Sequence, residues 1–218
     1  MSTYTIPDFS SVALITIDMQ QDTLDGHPFE IPGTSAILHP LKRLLHRFRE
    51  AGKPIIHMVR IYQPDGSNVD LCRRELVEQG AQLVLAGSGG CEIVPDLLSA
   101  QGSCLNTQVL LAGQIQSVGP HEGVIYKPRW GAFYNTPLEA YLRQQELSTL
   151  IFTGCNFPNC PRTSIYEASE RDFRIVVAPD AVSGIYDRGR AELEGIGVAL
   201  MDAAALAEAT LGARAVAG

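Results

Sequence analysis

Three side chains that could share one reaction lie at or just after the ends of apolar segments. Asp18 ends the run VALITID, Lys127 ends GVIYK, and Cys160 follows the run LIFTG by six residues. A cysteine attacks a carbonyl carbon as its thiolate, and its ordinary pKa of about 8.5 leaves little of it ionised at neutral pH. A carboxylate can take the thiol proton, and a fixed ammonium favours the resulting negative charge. These residue types therefore predict nucleophilic catalysis by Cys160, with Asp18 as the base and Lys127 as the cation.

The residue that follows the cysteine adds a second argument for its reactivity. Cys160 precedes Pro161, and proline is favoured at the first position of a helix. This order predicts a helix with Cys160 as its N-cap, where the positive end of the helix dipole favours a thiolate. We therefore expect the helix start and Lys127 to favour the Cys160 thiolate, and Cys160 to be alkylated faster than the other four cysteines. Taken singly, each of the three residues has a simpler explanation, as a structural thiol, a turn former or a solvated lysine.

The surrounding elements predict how the three residues are positioned. Apolar, β-branched runs alternate with helical segments, as in parallel sheets that are buried on both faces. We expect a three-layer α/β/α fold with a mostly parallel, Rossmann-like central sheet. Residues 63–123 form an excursion with little clear periodicity, apart from one short helix in LCRRELVEQG. The predicted strands are VALITID, PIIHMVRIY, GVIYK, STLIFTG, FRIVVAPD and GVALMD.

The sheet also predicts where chemistry should occur. Binding crevices of such sheets lie beyond the carboxyl ends of the strands, which is where Asp18, Lys127 and the loop before Cys160 fall. The chain has neither GxGxxG after its first strand nor GxxxxGK[ST] anywhere. Because those patterns hold nucleotide phosphates, their absence argues against a dinucleotide or P-loop site.

Composition limits the class of protein. The 218 residues are 45% hydrophobic and 19% charged, enough for one buried core, so we expect a single domain over 1–218. The net charge of −7 argues against a nucleic-acid partner. Apolar runs fall well short of the roughly 20 residues of a membrane span, and five irregularly spaced cysteines do not suggest a secreted disulfide framework. We expect a cytoplasmic protein without membrane contact.

The motifs around the three residues resemble the isochorismatase-like cysteine hydrolases, in particular their amidohydrolase branch. The resemblance covers most of the chain, through LITIDMQQDTL, YKPRWGAFYNTPLEAYL and TGCNFPNCPRTSIYEASERDFRIVVAPDA. It implies the isochorismatase-like hydrolase fold and a catalytic triad of Asp18, Lys127 and Cys160. The chain departs from the family pattern at Thr23, where phenylalanine is usual, and at Gly131, where serine is common.

The resemblance also implies the reaction. It implies an oxyanion hole made by the backbone N–H groups of Asn156 and Cys160, with a cis peptide between Cys155 and Asn156. The expected reaction is hydrolysis of a C–N bond in a small-molecule amide, ureido compound or lactam, through a thioester on Cys160. Two alternatives remain open: cleavage of a vinyl ether, as in isochorismate hydrolysis, and a non-catalytic binding or assembly domain.

Aromatic residues close to the motifs are candidates for substrate binding, although core or subunit-interface positions would explain them equally well. Arg60 and Arg129 are candidates for binding a substrate carboxylate, and surface ion pairing is the alternative. The aromatic candidates are Trp130, Phe133, Tyr134 and Phe157.

We expect no metal and no other cofactor. Nicotinamidases carry an Asp-x-His pair after the second strand, where this chain has VRIYQPDGSN. His57 lies inside that strand and is predicted to be a core or lining residue rather than a ligand. We also expect a homo-oligomer, either a dimer or a tetramer.

Overall fold

One seven-stranded sheet organises the chain in the computed structural model, which describes residues 3–27, 29–99 and 104–212. The strand order is β3-β4-β2-β1-β5-β6-β7, and every pair is parallel except β3 with β4. The strand order reverses beside β1, which places a crevice at the carboxyl ends of β1 and β5. The strands are β1 Val12–Ile17, β2 Ile55–Val59, β3 Gln116–Gly119, β4 Glu122–Tyr126, β5 Thr149–Gly154, β6 Arg174–Val182 and β7 Ala199–Leu200.

Helices cover both faces of the sheet, which confirms the predicted three-layer α/β/α fold. One apolar cluster joins the sheet to α1, α3 and α7, and a second joins its other face to α4, α5 and α6. The two clusters bury alternate residues of the same strands, as the β-branched runs predict. The helices are α1 Leu38–Glu50, α2 Leu71–Glu78, α3 Thr107–Leu111, α4 Leu138–Gln144, α5 Cys160–Ser169, α6 Asp187–Gly195 and α7 Ala203–Gly212.

The excursion at residues 63–123 has more structure than the sequence predicts. The short helix in LCRRELVEQG is present as α2, but α3 and the antiparallel edge strand β3 are additional. Asp22 ties the excursion to the carboxyl edge of the sheet, because its Oδ2 accepts a 2.7 Å hydrogen bond from the N–H of Val84. Gly90 packs against the same carboxylate, where any side chain would collide.

None of the helices in the described residues is long and apolar enough to cross a bilayer.

Candidate active site

Asp18 follows the last residue of β1 and turns the chain into the crevice. Its φ is 50°, a left-handed value that aspartate tolerates better than most residues. Its N–H donates to the carbonyl of Met58 at 2.9 Å, which keeps it in register with β2. Carboxylate atom Oδ2 lies 2.8 Å from Nζ of Lys127. Oδ1 is buried and has no hydrogen-bond partner within the described residues.

Lys127 follows β4 and is completely buried. Its N–H donates to the carbonyl of Val59 at 2.9 Å, and its Nζ also reaches the carbonyl of Arg129 at 3.4 Å. A buried ammonium is tolerated only when a counter-charge and hydrogen bonds replace its hydration. The ion pair with Asp18 meets that condition, so Lys127 is not the solvated lysine of the simpler explanation.

Cys160 is the first residue of α5 and is almost fully buried. Asn159 is the N-cap, so the cysteine lies one position further into the helix than predicted. A first-turn amide has no partner inside its own helix. The peptide between Cys155 and Asn156 is cis, as the resemblance implies. In the part of the chain that the structure describes, the N–H groups of Asn156 and Cys160 donate to no other protein group.

The surroundings of the Cys160 thiol raise its pKa to about 11. Burial is the largest cause, and the negative charge of Asp18 adds to it, while Lys127 and Arg60 act in the opposite direction. Desolvation therefore outweighs the nearby cations, and the net effect of the surroundings is opposite to the thiolate stabilisation that the sequence predicts. A thiol with so high a pKa keeps its proton at neutral pH, so a nucleophilic role for Cys160 would require a proton acceptor.

A cavity of about 350 Å³ holds Cys160, and we call it the Cys160 cavity. Asp18, Asn156 and Cys155 also line it, so the structure brings two members of the predicted triad and both predicted oxyanion residues to one space. Lys127 does not line this cavity but pairs with Asp18, which does. The apolar wall of the Cys160 cavity consists of Phe29, Ile31, Leu76, Leu83 and Val84.

None of the four predicted aromatic residues lines the Cys160 cavity. Phe133 and Phe157 are core residues. The ring centroid of Phe133 lies 5.9 Å from that of Phe173, and the ring centroid of Phe157 lies 5.4 Å from that of Tyr186. Trp130 and Tyr134 lie on a separate, shallow surface cavity of about 520 Å³. The four aromatic residues were predicted because they lie near the motifs in sequence. The apolar wall of the cavity instead comes largely from the segments after β1 and after α2.

Arg60 lines the Cys160 cavity. The sequence offers it, together with Arg129, as a candidate for binding a substrate carboxylate. Arg60 follows β2 as Asp18 follows β1, and is 2% exposed. Its Nη1 donates to Asp70 Oδ2 at 2.7 Å and to the carbonyl of Pro128 at 2.9 Å. Gln20 holds its backbone through a 2.9 Å hydrogen bond from the N–H of Arg60. The sequence places Arg60 inside the predicted strand PIIHMVRIY, so only its residue type pointed to a binding role, and no signal pointed to Gln20 or Asp70.

His57 lies inside β2 and is fully engaged there. Its Nδ1 lies 2.8 Å from Oγ1 of Thr16, and its Nε2 lies 2.9 Å from Oε1 of Glu122. Arg49 pairs with the same Glu122 at 2.6 Å. The prediction that His57 is a core residue is confirmed.

Comparisons with known proteins agree with this geometry. The isochorismatase domain family matches residues 12–106 and 112–204. A ureidoacrylate amidohydrolase of Methylobacterium radiotolerans is 26% identical over 80% of this chain and 67% of its own. A probable inactive nicotinamidase of Arabidopsis thaliana is 26% identical over 86% of this chain and 90% of its own.

Among solved structures, an isochorismatase family protein from Desulfovibrio vulgaris superposes with a TM-score of 0.77. It is 30% identical, and the alignment covers 91% of this chain and 97% of that one. A cysteine hydrolase from Pseudomonas syringae, 20% identical, has the same fold with a TM-score of 0.75 over 95% of each chain. The family match spans nearly the whole sheet together with Asp18, Lys127 and Cys160, and the chain belongs to the isochorismatase family.

Proposed function

We propose that this protein is a cysteine-dependent hydrolase of a C–N amide-type bond in a small molecule. The observation that carries the proposal is the asymmetry of the Asp18 carboxylate. Lys127 occupies Oδ2, Oδ1 is buried and unpartnered within the described residues, and the Asp18 residue lines the cavity that holds Cys160. A free carboxylate oxygen beside a protonated thiol is what a general base requires.

The first half of the proposed reaction forms a thioester. The Cys160 thiol transfers its proton to Oδ1 of Asp18 as the sulfur attacks the substrate carbonyl carbon. The carbonyl oxygen becomes an oxyanion, which the N–H groups of Asn156 and Cys160 receive. Lys127 keeps Asp18 in place and compensates the negative charge. As the C–N bond breaks, Asp18 returns the proton to the departing ammonia or amine.

The second half restores the enzyme. A water molecule gives a proton to Asp18 and adds to the thioester carbonyl, and the same two N–H groups hold the second oxyanion. The C–S bond then breaks, and the proton on Asp18 returns to the sulfur. The acid product leaves, and the thiol is again protonated, in keeping with its raised pKa.

The amidohydrolase relative supports an amide substrate over a vinyl ether. The ureidoacrylate amidohydrolase takes its name from hydrolysis of a C–N bond. Vinyl-ether cleavage needs proton transfer to carbon and has no use for a thiol beside a free carboxylate. A binding or assembly domain would gain nothing from a buried carboxylate oxygen that lacks a partner, since such a group costs stability.

An activity screen tests the proposal. Primary amides, ureido acids and lactams are incubated with the protein, and ammonia or amine release is measured. Vinyl ethers are included, with carbonyl products as their readout. We expect turnover among the C–N substrates, together with an acyl adduct on Cys160 that mass spectrometry detects after rapid acid quenching.

Matched cysteine variants complete the test. Cys160→Ala should lower kcat at least about a hundredfold, whereas Cys72→Ala, at an exposed thiol, should leave it unchanged. Urea unfolding with the stability of the unmodified protein confirms that both variants fold. Retained turnover in folded Cys160→Ala, or product formation from vinyl ethers alone, would overturn the proposal.

A further inference from the structure

We propose that Arg60 is a specificity-determining residue that binds a carboxylate of the substrate through Nε and Nη2. The inference rests on the proposed function and narrows its substrate class to amides that carry an acid group. It follows from the hydrogen bonds that the Arg60 guanidinium makes and from those that it lacks.

The guanidinium of Arg60 is satisfied on one side only. Nη1 is taken by Asp70 and by the carbonyl of Pro128. Nε and Nη2 are buried and have no hydrogen-bond partner within the described residues. Buried donors without partners are rare in folded proteins because each one costs free energy. They are expected where a ligand supplies the missing acceptor.

The two unpartnered nitrogens share one edge of the guanidinium. In arginine, the Nε–H bond and one Nη2–H bond point in the same direction and form a planar fork. A carboxylate matches that fork with two parallel hydrogen bonds, one from each nitrogen. A single neutral acceptor would satisfy only one of the two donors, so the geometry points to an anion with two oxygens.

The fork is held rigidly before any ligand arrives. Asp70 Oδ2 pairs with Arg60 at 2.7 Å and also accepts a 2.6 Å hydrogen bond from the hydroxyl of Tyr62. Arg73 donates to the same hydroxyl at 3.2 Å. Side chains fixed in this way lose little entropy when they bind a ligand. A carboxylate would therefore meet a prepared site.

The position of Arg60 fits the chemistry at Cys160. Arg60, Asp18 and Cys160 line the same cavity of about 350 Å³, which has room for a small acid amide. A carboxylate on Arg60 would fix one end of such a substrate and leave its amide carbonyl for the thiol. Arg129, the other candidate, is half exposed, its Nε lies 3.8 Å from Asp70 Oδ1, and it does not line this cavity, so it offers no comparable fork.

Alkylation by a matched pair of reagents tests the inference without needing turnover. Iodoacetate carries a carboxylate, iodoacetamide replaces it by a neutral amide, and both alkylate thiols through the same carbon. Peptide mapping gives the ratio of their rates at Cys160, with the exposed Cys72 as an internal reference. The ratio cancels the thiolate fraction, so a change in the ionisation of Cys160 cannot imitate anion binding.

We expect the iodoacetate to iodoacetamide ratio at Cys160 to exceed that at Cys72 by at least about tenfold, as one charge-assisted bidentate pair implies. Arg60→Gln should bring the ratio down to the Cys72 value. Arg60→Lys, which keeps the charge without the fork, should give an intermediate ratio. Equal ratios at the two cysteines in the unmodified protein, or a ratio that Arg60→Gln leaves unchanged, would overturn the inference.

A variant-free measurement covers the case in which Arg60→Gln does not fold. Acetate should protect Cys160 of the unmodified protein against iodoacetamide, and acetamide at the same concentration should not. Equal protection by both, or by neither, would count against the carboxylate site. Because no reading depends on turnover, an active Cys160→Ala variant would defeat the proposed mechanism alone, whereas a lost reagent preference would defeat the carboxylate site alone.

Discussion

The two carboxylate oxygens of Asp18 have different surroundings, and this difference decides what a substitution there should do. Oδ2 neutralises a fully buried Lys127, while Oδ1 is the proposed proton acceptor. The same side chain would therefore support both folding and the proposed catalysis. A substitution that keeps its shape and removes its charge should affect both properties, by separate causes.

We predict that Asp18→Asn lowers kcat at least about a hundredfold, because an amide cannot take the thiol proton. It should also lower the free energy of unfolding by about 3 to 5 kcal/mol, because it leaves the Lys127 ammonium buried without a counter-charge. Steady-state kinetics and urea unfolding measure the two effects.

The double variant Asp18→Asn with Lys127→Met separates the two effects. Removing both charges should restore most of the lost stability, since no uncompensated ion remains. It should restore no activity. Recovery of turnover in the double variant would show that Asp18 acts only as a structural counter-charge.

At this scale the sequence predicted which residues meet but not how they ionise. Asp18, Lys127 and Cys160 were found from residue type and strand position alone. The protonation of Cys160 depends on burial, which no local pattern records, and desolvation reverses the effect expected from the helix N-terminus and Lys127. The unpartnered edge of Arg60 was equally hidden, because it depends on where Asp70 lies.

Among the elements, the end of β5 is the most tightly constrained. Gly154 has a φ of 106°, and a Cβ atom there would lie 2.6 Å from the backbone nitrogen of Ile17 in β1, and closer still to its oxygen. Backbone atoms of a central strand cannot move aside as a flexible side chain can. The strand must therefore end on glycine to enter the loop that carries Asn156 and Cys160.

We predict that Gly154→Ala lowers the free energy of unfolding by about 3 kcal/mol or more, since it combines a backbone collision with an unfavourable φ. Gly113→Ala is the matched control, because Gly113 also has a positive φ of 78° but nothing within 4 Å of its Cβ position. The free energy of unfolding of Gly113→Ala should fall by only about 1 kcal/mol, because the positive φ is its only cost. Similar losses in the two variants, measured by urea unfolding, would refute the collision.

A buried charge network joins α1, β2 and β4 away from the cavity. Burial alone would raise the pKa of Glu122, but hydrogen bonds from Arg49 and His57 outweigh burial and lower the pKa to about 2. A carboxyl whose pKa is lower in the folded state stabilises the fold above its unfolded pKa. That contribution is lost as pH falls from about 4.5 towards 2.

We predict that Glu122→Gln lowers the free energy of unfolding at pH 7 and lowers it much less at pH 3. Between these pH values, the free energy of unfolding of the variant should therefore depend less on pH than that of the unmodified protein. Urea unfolding at pH 7, 4 and 3 measures this dependence. Glu194→Gln, at an exposed position of α6, should leave the pH dependence unchanged. A Glu122→Gln penalty that is the same at all three pH values would contradict the charge network.

Prediction of the elements succeeded where the chain repeats a simple pattern. The β-branched runs gave every parallel strand, because strands buried on both faces need continuous apolar residues. The edge strand β3, QSVG, is half-buried and pairs only with β4, so it lacks that signature. The five-residue helix α3 is too short for helical periodicity to emerge.

For the whole molecule we predict activity without any added metal. The engaged ring of His57 and the absence of an Asp-x-His pair after β2 motivate this expectation. Turnover should survive prolonged treatment with EDTA and 1,10-phenanthroline followed by gel filtration, while a zinc hydrolase treated in parallel loses activity. Loss of turnover that only zinc or iron restores would contradict the prediction. The homo-oligomeric state stays a prediction, which light scattering would test.

Asp18, Arg60 and Lys127 directly follow β1, β2 and β4, which are neighbours in the sheet although they lie far apart in the sequence. The amides of Asp18 and Lys127 bond the consecutive carbonyls of Met58 and Val59, so one alignment of β1, β2 and β4 fixes all of them. A slip of one residue in that alignment would turn a strand's side chains to the opposite face. A mispaired chain would retain its circular dichroism spectrum and be inert. Turnover per active-site thiol therefore reports the fraction of molecules whose strands are correctly aligned, which spectroscopy of secondary structure cannot do.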